Sequence, residues 1–405
     1  MKRVFVSGYG LVSAYGKGWG ELKAGFESGE NAVCYMKEWE SYAELGTKLG
    51  APILNYEPPK QWSRKQKRSL GRVALYSVEA AGEALKMAGL LDDERIQDGR
   101  MGVAAGSSTG STDAIVDMAK ICMGIESKFN ANTYIKMMQH TTAANIAVFY
   151  GLKGRLVPTS SACTSGSQAI GYAYEMIKFG RVEMMIAGGA EELCHSEAYT
   201  FDTLYATSQK NSTPKLTPQP FDAGRDGLVI GEGAGYVILE SEDSLRKRGG
   251  TPIAEIVGFG STCDGSHMTR PQTPTMKEAM NLALKDAGLN PEKIGYINAH
   301  ATATKHGDIA ESIATNEIFG ERAAISSLKS YLGHTLGACG GLESIACIEM
   351  MRQGLFYPTL NLRELDKECA RLDYLVQPRE IRTDFVMNNN FAFGGVNTSL
   401  IFRKI

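Results

Sequence analysis

One feature of this sequence constrains its fold more than any other: a faint internal duplication. An apolar segment at 3–10 closes with what we interpret as a Gly-x-Gly turn, and the segment 254–260 repeats that design. Ala/Leu/Met-rich stretches of helical periodicity follow at about 64–88 and about 275–287. A chain that contains one supersecondary pattern twice is expected to fold into two similar halves. We place these halves at 1–250 and 251–405.

The later parts of the two halves also correspond. Apolar strands are predicted at matching places, and a turn with a reactive side chain then leads into a glycine-punctuated helix in each half. The predicted strands are 101–105, 183–188 and 234–240 in the first half and 294–298, 384–389 and 396–402 in the second, with the turn-and-helix segments at 163–180 and 334–354. This alternation indicates an α/β fold with a largely buried mixed sheet. Two copies predict five layers, α-β-α-β-α, with helices between two sheets.

Composition and charge exclude several classes of function. The 405 residues carry a formal net charge of −2, which argues against a surface built for nucleic acid. No apolar run reaches the length of a membrane span and no signal-peptide core is found, so a cytoplasmic location is expected. The eight cysteines include no Cys-x-x-Cys pair, so no metal site is predicted. The glycine run 231–235 resembles a nucleotide loop, but no strand is predicted before it and a strand is predicted after it, so no nucleotide is expected.

Cys163 is the first candidate for a catalytic residue. The turn 160–166 joins a short strand, 155–157, to a helix with an apolar stripe at 3.6-residue spacing. Free N–H groups and the helix dipole favour an anion at such an elbow, so we expect the pKa of the thiol to lie below its usual value of about 8.5. A lowered pKa is one way to make a nucleophilic cysteine. The alternative at this point is a buried structural cysteine.

Two histidines strengthen the catalytic interpretation. His300 follows an apolar strand at its carboxyl end, where sites of α/β proteins usually form. His334 stands at the start of a helix, with Lys329 just upstream. The other histidines are interpreted as ordinary core or surface residues. The Asn- and Gly-rich run 388–395 joins two apolar strands, which requires permissive backbone and close approach to another group, although a plain hairpin turn is the simpler interpretation.

Together these segments resemble the two-histidine ketosynthases of fatty-acid and polyketide synthesis, and most of all β-ketoacyl-acyl-carrier-protein synthase II. The resemblance covers essentially the whole chain and is thinnest at about 30–60 and 106–140. Its markers are six segments in a fixed order: 162–166, 187–191, 221–227, 298–300, 329–334 and 390–395. The resemblance implies the thiolase fold and a dimer, either of identical chains or with a ketosynthase-like chain-length partner.

The resemblance also implies roles for individual residues. Cys163 corresponds to the nucleophile that carries the acyl group, and His300 and His334 correspond to the pair that polarises the malonyl thioester carbonyl. Lys329 corresponds to the lysine behind that pair, and Glu343 to the acidic residue that supports it. The implied reaction is a decarboxylative condensation, in which hydrogen-bond donors stabilise an enolate oxygen as it forms.

Other positions match the binding parts of the family. Thr302 and Thr304 match residues that hydrogen-bond the phosphopantetheine arm of an acyl carrier protein. Phe393 matches a gating phenylalanine whose backbone N–H joins that of Cys163 in an oxyanion hole. The implied chemistry needs neither a metal nor a redox cofactor, since the substrates arrive on the phosphopantetheine of the carrier protein.

Departures from the family pattern leave the pathway open. Ala392 stands where the family has a glycine between the two gate phenylalanines, and the segment 301–305 keeps both threonines but otherwise differs. Residues 107–111, which include Thr109 and lie near the floor of the family's acyl pocket, are small and polar where a bulky aliphatic side chain can occur. These departures favour a specialised synthase of a polyketide or aryl-polyene chain as the alternative to fatty-acid elongation.

Two further alternatives are disfavoured. A non-catalytic chain-length subunit would lack the nucleophile, whereas Cys163, His300 and His334 are all present. A thiolase would be expected to carry a second reactive cysteine near the C-terminus, and the segment 384–395 contains none.

A basic cluster is the candidate docking surface for the acyl carrier protein. Its residues are Lys60, Arg64, Lys65, Lys67, Arg68 and Arg72, to which we add Lys210. Such clusters are often only solvated faces. Because the implied partner is acidic, we expect this one to attract it over a long range.

Overall fold

The computed structural model describes residues 1–125 and 130–405. Strands and helices alternate along these residues, with short 3₁₀ turns between some of them. The strands are β1 Val4–Ser13, β2 Gly16–Lys17, β3 Cys34–Tyr35, β4 Leu49–Ala51, β5 Met101–Gly106, β6 Leu156–Thr159, β7 Met184–Glu191, β8 Ile230–Gly231, β9 Gly233–Ser241, β10 Ala254–Cys263, β11 Tyr296–Asn298, β12 Ala324–Ser326, β13 Leu355–Phe356, β14 Asp373–Tyr374, β15 Arg379–Glu380, β16 Phe385–Phe391 and β17 Val396–Arg403. The helices are α1 Gly18–Ser28, α2 Arg64–Lys67, α3 Arg72–Met87, α4 Thr112–Cys122, α5 Ala131–Met137, α6 Thr141–Tyr150, α7 Ser165–Lys178, α8 His195–Asp202, α9 Glu242–Arg248, α10 Thr273–Ala287, α11 Lys305–Phe319, α12 Lys329–Leu332 and α13 Cys339–Gln353. Within the described ranges, none of these helices has both the length and the apolar character needed to cross a membrane.

One mixed sheet of twelve strands runs through the described residues. Its order is β14-β12-β11-β16-β17-β10-β1-β9-β7-β5-β6, with β2 paired to β1. The sheet consists of two half-sheets that meet where β1 pairs antiparallel with β10, over Val4–Val6 and Ala254–Ile256. The two sheets expected from the sequence are therefore continuous at this short ladder.

The two half-sheets share one plan, which confirms the predicted duplication. The order β1-β9-β7-β5-β6 corresponds strand for strand to β10-β17-β16-β11-β12. Helices α7 and α13 contact each other and lie between the half-sheets. Helices α3 and α6 cover the outer face of the first half-sheet, and α10 and α11 pack over that of the second. These are the five predicted layers, and they bring α7 and α13 side by side at the centre.

The repeated Gly-x-Gly pairs belong to strands rather than to turns, so that detail of the prediction is wrong. Gly10 lies within β1 and Gly260 within β10. A Cβ on Gly10 would come within 2.1 Å of the carbonyl oxygen of Ala80 in α3, and one on Gly260 within 2.0 Å of that of Ala279 in α10. The glycines let each outer helix rest directly on the backbone of its strand. The duplicated sequence pattern therefore records a duplicated helix–strand contact.

The helix predicted at 64–88 is two helices. The chain leaves α2 after Lys67 and re-enters helical conformation at Arg72, with Gly71 extended between them. A Cβ on Gly71 would lie 2.4 Å from the Ser111 hydroxyl oxygen, so the break fits against a neighbouring loop. Periodicity alone does not reveal such a tertiary contact.

The glycine run 231–235 has the environment of a strand. Its last three residues begin β9, the strand that was predicted, but its first glycine, Gly231, belongs to the two-residue strand β8, contrary to the prediction. A dinucleotide loop requires a helix directly after the glycines, and here strand β9 takes that place.

Candidate active site

Cys163 lies at the sharp connection predicted between a strand and a helix. A 3₁₀ turn, Ala162–Thr164, separates β6 from α7. Ala162 has a φ of +51°, a left-handed conformation that is costly for a residue with a side chain. The strained turn presents Cys163 to the interior, where the residue is only 3 % exposed.

The expected low pKa of Cys163 is wrong for this site. Burial raises the pKa of the thiol to about 12, against the opposing effects of the Lys329 charge and of the backbone N–H groups of Phe393 and Cys163 itself. Loss of hydration penalises the thiolate more than the elbow's dipoles favour it. The resting cysteine is therefore a neutral thiol that needs a base.

A base is in contact with the thiol. The Nε2 atom of His334 lies 2.9 Å from the Cys163 Sγ, and the His300 ring lies edge-on to His334 with their centroids 5.2 Å apart. Burial, reinforced by the nearby Lys329 charge, holds the pKa of both histidines well below its usual value. Both imidazoles are thus neutral, so each ring has one N–H donor and one bare nitrogen, and in the tautomer with a bare Nε2 His334 can accept the thiol proton.

The same three side chains have the spacing of a metal-binding group. Their sulfur and nitrogen atoms lie within 4.8 Å of one another. Within the described residues, however, neither His300 Nδ1 nor His334 Nδ1 has a hydrogen-bond partner. A metal-binding imidazole normally donates its second N–H to an orienting acceptor. The arrangement therefore fits proton transfer and hydrogen-bond donation better than metal ligation.

A buried ion pair stands behind the histidines. Lys329 Nζ lies 2.6 Å from Glu343 Oε1, and Asn390 donates to the other carboxylate oxygen at 2.7 Å. Burial disfavours the ammonium, but Glu343 outweighs it and raises the pKa of Lys329. A fixed positive charge is thereby held next to two neutral imidazoles. The resemblance implied a lysine behind the two histidines and an acidic residue in support, and the ion pair joins these two side chains.

One residue of the site escaped the sequence analysis. The carboxyl of Glu311 in α11 accepts the backbone N–H groups of His300 at 2.8 Å and Ala301 at 2.7 Å. Burial raises the pKa of Glu311 to about 8. The signal available in the sequence was an acidic residue between Ala310 and Ala314, on the apolar side of a helix. Glu311 fixes the loop that carries His300.

The gate residues form the connection between β16 and β17. The backbone N–H groups of Phe393 and of Cys163 itself favour the thiolate form of Cys163, against the effect of burial on its pKa. The Phe393 ring packs on Phe201 with centroids 5.0 Å apart. Gly394, with a φ of +83°, donates its N–H to the Met268 carbonyl at 2.7 Å. Residues 388–391 therefore belong to β16 and 392–395 form the turn of a hairpin, whose Phe393 N–H acts on Cys163.

Seven of the ten predicted catalytic and substrate-binding residues share one cavity of about 810 Å³, and Lys329 and Glu343 are not among the described residues that line it. Those that line it are Cys163, His300, His334, Thr302, Thr304, Ala392 and Phe393. The hydroxyls of Thr302 and Thr304 lie 3.0 Å apart on its wall. Thr109 is not among the described residues that line this cavity, and its backbone N–H donates to Glu191 at 3.3 Å instead.

The basic cluster divides into exposed and engaged side chains. Lys60, Arg64, Lys65 and Arg68 are exposed, Lys67 is half-buried, and the segment 64–67 forms α2. Arg72 instead pairs with Glu232 at 2.7 Å. Lys210 donates to the Gly224 carbonyl at 2.8 Å and lies 3.7 Å from Asp226. The charges of Arg72 and Lys210 are thus partly satisfied within the chain.

Comparisons with known proteins agree with this geometry. The family models "Beta-ketoacyl synthase, N-terminal domain" and "Beta-ketoacyl synthase, C-terminal domain" match residues 1–244 and 253–363. The chain is 33 % identical to 3-oxoacyl-[acyl-carrier-protein] synthase 1 of Escherichia coli K12, over the full length of both.

Solved structures extend the similarity to the whole fold. A β-ketoacyl synthase from Burkholderia phymatum superposes with a TM-score of 0.98 at 54 % identity, with both chains fully covered. The ketosynthase ApeO from Xenorhabdus doucetiae, solved in complex with its chain length factor ApeC, gives a TM-score of 0.82 at 27 % identity, with 100 % of this chain and 98 % of that one covered. The chain therefore belongs to the β-ketoacyl synthase family and is a ketosynthase of thiolase fold.

Proposed function

We propose that this chain is a 3-oxoacyl-[acyl-carrier-protein] synthase, which condenses an acyl thioester with malonyl carrier protein and releases carbon dioxide. The observation that carries the proposal is the buried contact of Cys163 with His334, 2.9 Å from sulfur to nitrogen, with His300 beside it. The relative from Escherichia coli named for this activity aligns over the full chain.

The first half-reaction loads the acyl group. The thiol proton of Cys163 passes to Nε2 of His334, and the sulfur attacks the carbonyl carbon of the acyl thioester. The backbone N–H groups of Cys163 and Phe393 donate to the tetrahedral oxyanion. When the intermediate collapses, the bond to the carrier's sulfur breaks, and that sulfur takes the proton back from His334.

The second half-reaction joins the chains. With the thiol consumed, neutral His334 can carry its proton on Nε2, and the malonyl carbonyl oxygen then accepts hydrogen bonds from His300 and His334 while the bond to the carboxylate breaks and carbon dioxide leaves. The released electron pair forms an enolate, whose α-carbon attacks the acyl carbonyl on Cys163. The bond to Sγ then breaks, and the cysteine thiolate takes a proton from solvent water.

The same proposal covers the substrate arm and the partners. Thr302 and Thr304 line the cavity and are proposed to bind the phosphopantetheine arm, and no other cofactor is proposed.

A dimer is supported by the edge position of β6, by Leu156 in that strand, which is 40 % exposed, and by Val148 nearby in sequence, which is 79 % exposed. The cytoplasmic location and the division at 250/251 stay predictions from the sequence.

The alternative that keeps the same chemistry is a specialised polyketide-type ketosynthase with a chain-length partner. It is favoured by Ala392 in the gate and by the polar loop 107–111, and a solved relative works beside a chain length factor. A non-catalytic role is disfavoured because the nucleophile and both histidines are assembled in one cavity.

The test is condensation by the purified protein. Malonyl carrier protein is supplied with acyl carrier proteins of different chain lengths and oxidation states, and the 3-oxoacyl product and carbon dioxide are quantified. Equal amounts of the two products support the proposal, and the preferred primers distinguish fatty-acid elongation from the specialised pathway. Mass spectrometry of the protein purified from its native host identifies the partner subunit. Absence of condensation with every primer, with the native partner present, contradicts the proposal.

A further inference from the structure

A buried carboxyl beside the active site has an oxygen without a hydrogen bond of normal length. Glu197 is the third residue of α8 and is only 5 % exposed. Its Oε2 accepts the backbone N–H of Cys194 at 3.3 Å, as a helix-capping glutamate does. Its Oε1 has no hydrogen-bond partner among residues 1–125 and 130–405. Capping accounts for one oxygen and leaves the other unexplained.

The surroundings of Glu197 favour its neutral, protonated form. Burial, the Glu191 carboxylate and the Cys194 thiol all raise the pKa of Glu197 well above its usual value, with Glu192 adding to the effect, while the hydroxyl of Thr109 opposes it. A neutral carboxyl carries a proton that it can donate. The group therefore offers both a donor and an acceptor to a polar atom.

The neighbouring Glu191 is also buried, but both of its carboxylate oxygens accept hydrogen bonds. Its carboxylate accepts from the Ser107 hydroxyl at 2.6 Å, the Ser108 N–H at 2.7 Å and the Gly337 N–H at 3.0 Å. Buried polar atoms are nearly always paired in this way. The bare oxygen of Glu197 is thus an exception next to a fully bonded neighbour.

The position of Glu197 relates it to the acyl group. Phe201, one turn further along the same face of α8, lines the cavity of Cys163 and packs against Phe393 with centroids 5.0 Å apart. Ala198 belongs to the apolar cluster that contains Cys163. Glu197 lies about 6 Å along the helix from Phe201 and is not among the described residues that line the cavity. A chain attached to Cys163 that follows α8 past Phe201 comes to this carboxyl.

We propose that Glu197, with Thr109 beside it, recognises an oxygen atom on the acyl chain carried by Cys163. The inference rests on the proposed function and adds a substrate class to it: acyl chains that bear a carbonyl or hydroxyl group, rather than saturated ones. The bare carboxyl donates to a chain carbonyl and both donates to and accepts from a hydroxyl. A saturated chain leaves it unpaired, and a site built to hydrogen-bond a substrate discriminates strongly against the analogue that lacks the group.

The experiment measures acylation of Cys163 by mass spectrometry with octanoyl pantetheine thioester and its 3-oxo, 5-oxo and 7-oxo counterparts. We expect the wild type to favour at least one oxo chain over octanoyl by about tenfold or more in acylation rate. Glu197→Leu should abolish that preference. Glu197→Gln, whose amide still donates, should keep most of it. A capping role alone would slow all four thioesters together and leave their ratios unchanged.

The outcomes separate this inference from the proposed function. Efficient acylation with a flat profile, or an oxo preference that survives Glu197→Leu, overturns the role of Glu197 and leaves the synthase activity standing. Failure of every thioester and of every acyl carrier protein to load Cys163 contradicts the proposed function, and the inference with it. If Glu197→Leu does not fold, Thr109→Val takes its place and must reduce the same ratio.

Discussion

At the scale of single residues, the reactivity of Cys163 comes from its partner and not from a low pKa. Burial raises the pKa of the thiol to about 12, so at neutral pH almost no thiolate is present in the resting site. His334, 2.9 Å away and kept neutral by burial and by Lys329, supplies the base.

The charge of Lys329 should determine the pH below which the rate of acyl loading falls. Because a nearby cation lowers the pKa of both imidazoles, its removal should raise these pKa values, and His334 should lose its base form at a higher pH. The double variant Lys329→Met/Glu343→Gln removes the ion pair without leaving a lone buried charge. We expect the acid limb of the acylation rate to move upward by about one pH unit or more.

The control for that profile is a surface ion pair of the same composition. Lys277 and Glu317 lie 2.7 Å apart with side chains 38 % and 46 % exposed, so Lys277→Met/Glu317→Gln should leave the pH profile of acylation as it is in the wild type. An acid limb that stays in place in the Lys329 variant would mean that its charge does not act on the histidines.

The sequence predicted which residues meet in the site but not their electrostatics. Cys163, His300 and His334 were singled out by residue type and by position at the ends of elements, and the resemblance to ketosynthases supplied their expected roles. The pKa of Cys163 was predicted in the wrong direction because local pattern shows the helix dipole and not the depth of burial. Glu311 was missed because its role is to accept two backbone N–H groups of the loop that precedes its helix, a contact that no local pattern reports.

At the scale of elements, the glycine pairs are the clearest link between sequence and packing. Alanine at Gly10 or Gly260 would place Cβ within 2.1 Å or 2.0 Å of a helix carbonyl oxygen. Each substitution should force α3 or α10 away from its strand and lower the free energy of unfolding by about 1–3 kcal/mol. Urea unfolding of each variant measures the loss.

A third glycine provides the control for that comparison. Gly20 lies in the exposed part of α1, and a Cβ at this position would have nothing within 4 Å. Gly20→Ala should therefore leave stability unchanged or raise it by about 0.5–1 kcal/mol. Wild-type stability in Gly10→Ala and Gly260→Ala would show that the helices do not need the close contact.

The gate is an element whose stiffness should control which chains load. Ala392 is extended, with φ −120° and ψ 160°, so its methyl group strains nothing but still excludes the left-handed conformations that glycine allows. We expect Ala392→Gly to widen the range of acyl chain lengths that load onto Cys163. The measurement is an acylation profile over chain length, and a profile identical to the wild type counts against a gating role for this position.

Element order and the five layers were predictable because apolar periodicity repeats in both halves. The break at Gly71 and the continuity of the half-sheets through β1 and β10 were not, since both depend on contacts between segments far apart in sequence. Local pattern identified elements, and tertiary contact decided where they stop and join.

At the scale of the whole molecule, the exposed side chains of the basic cluster should guide the carrier protein to the synthase. Arg64→Glu/Arg68→Glu reverses two exposed charges, and we expect a several-fold higher apparent KM for the carrier-bound substrate and a weaker dependence of KM on salt. The measurement is steady-state condensation at several ionic strengths.

The matched control reverses two lysines elsewhere on the surface. Lys285 and Lys293 are exposed, and Lys285 lies nine residues, about 13 Å, along α10 from the cavity residue Met276. Lys285→Glu/Lys293→Glu makes the same change of net charge and should leave KM near the wild-type value. Equal effects of the two double variants would mean that the basic cluster acts only through the net charge of the protein.

In this cavity Cys163 is proposed to act as the nucleophile and the two histidines as hydrogen-bond donors. One pair of assays on three variants tests this separation of roles. Labelled acyl transfer and labelled carbon dioxide release are measured with Cys163→Ala, His300→Ala and His334→Ala. Cys163→Ala should lose acyl loading and condensation yet still release carbon dioxide from malonyl carrier protein. The histidine variants should lower decarboxylation by about 10²- to 10³-fold while some loading onto Cys163 persists. Condensation by Cys163→Ala, or normal decarboxylation by both histidine variants, would contradict the account.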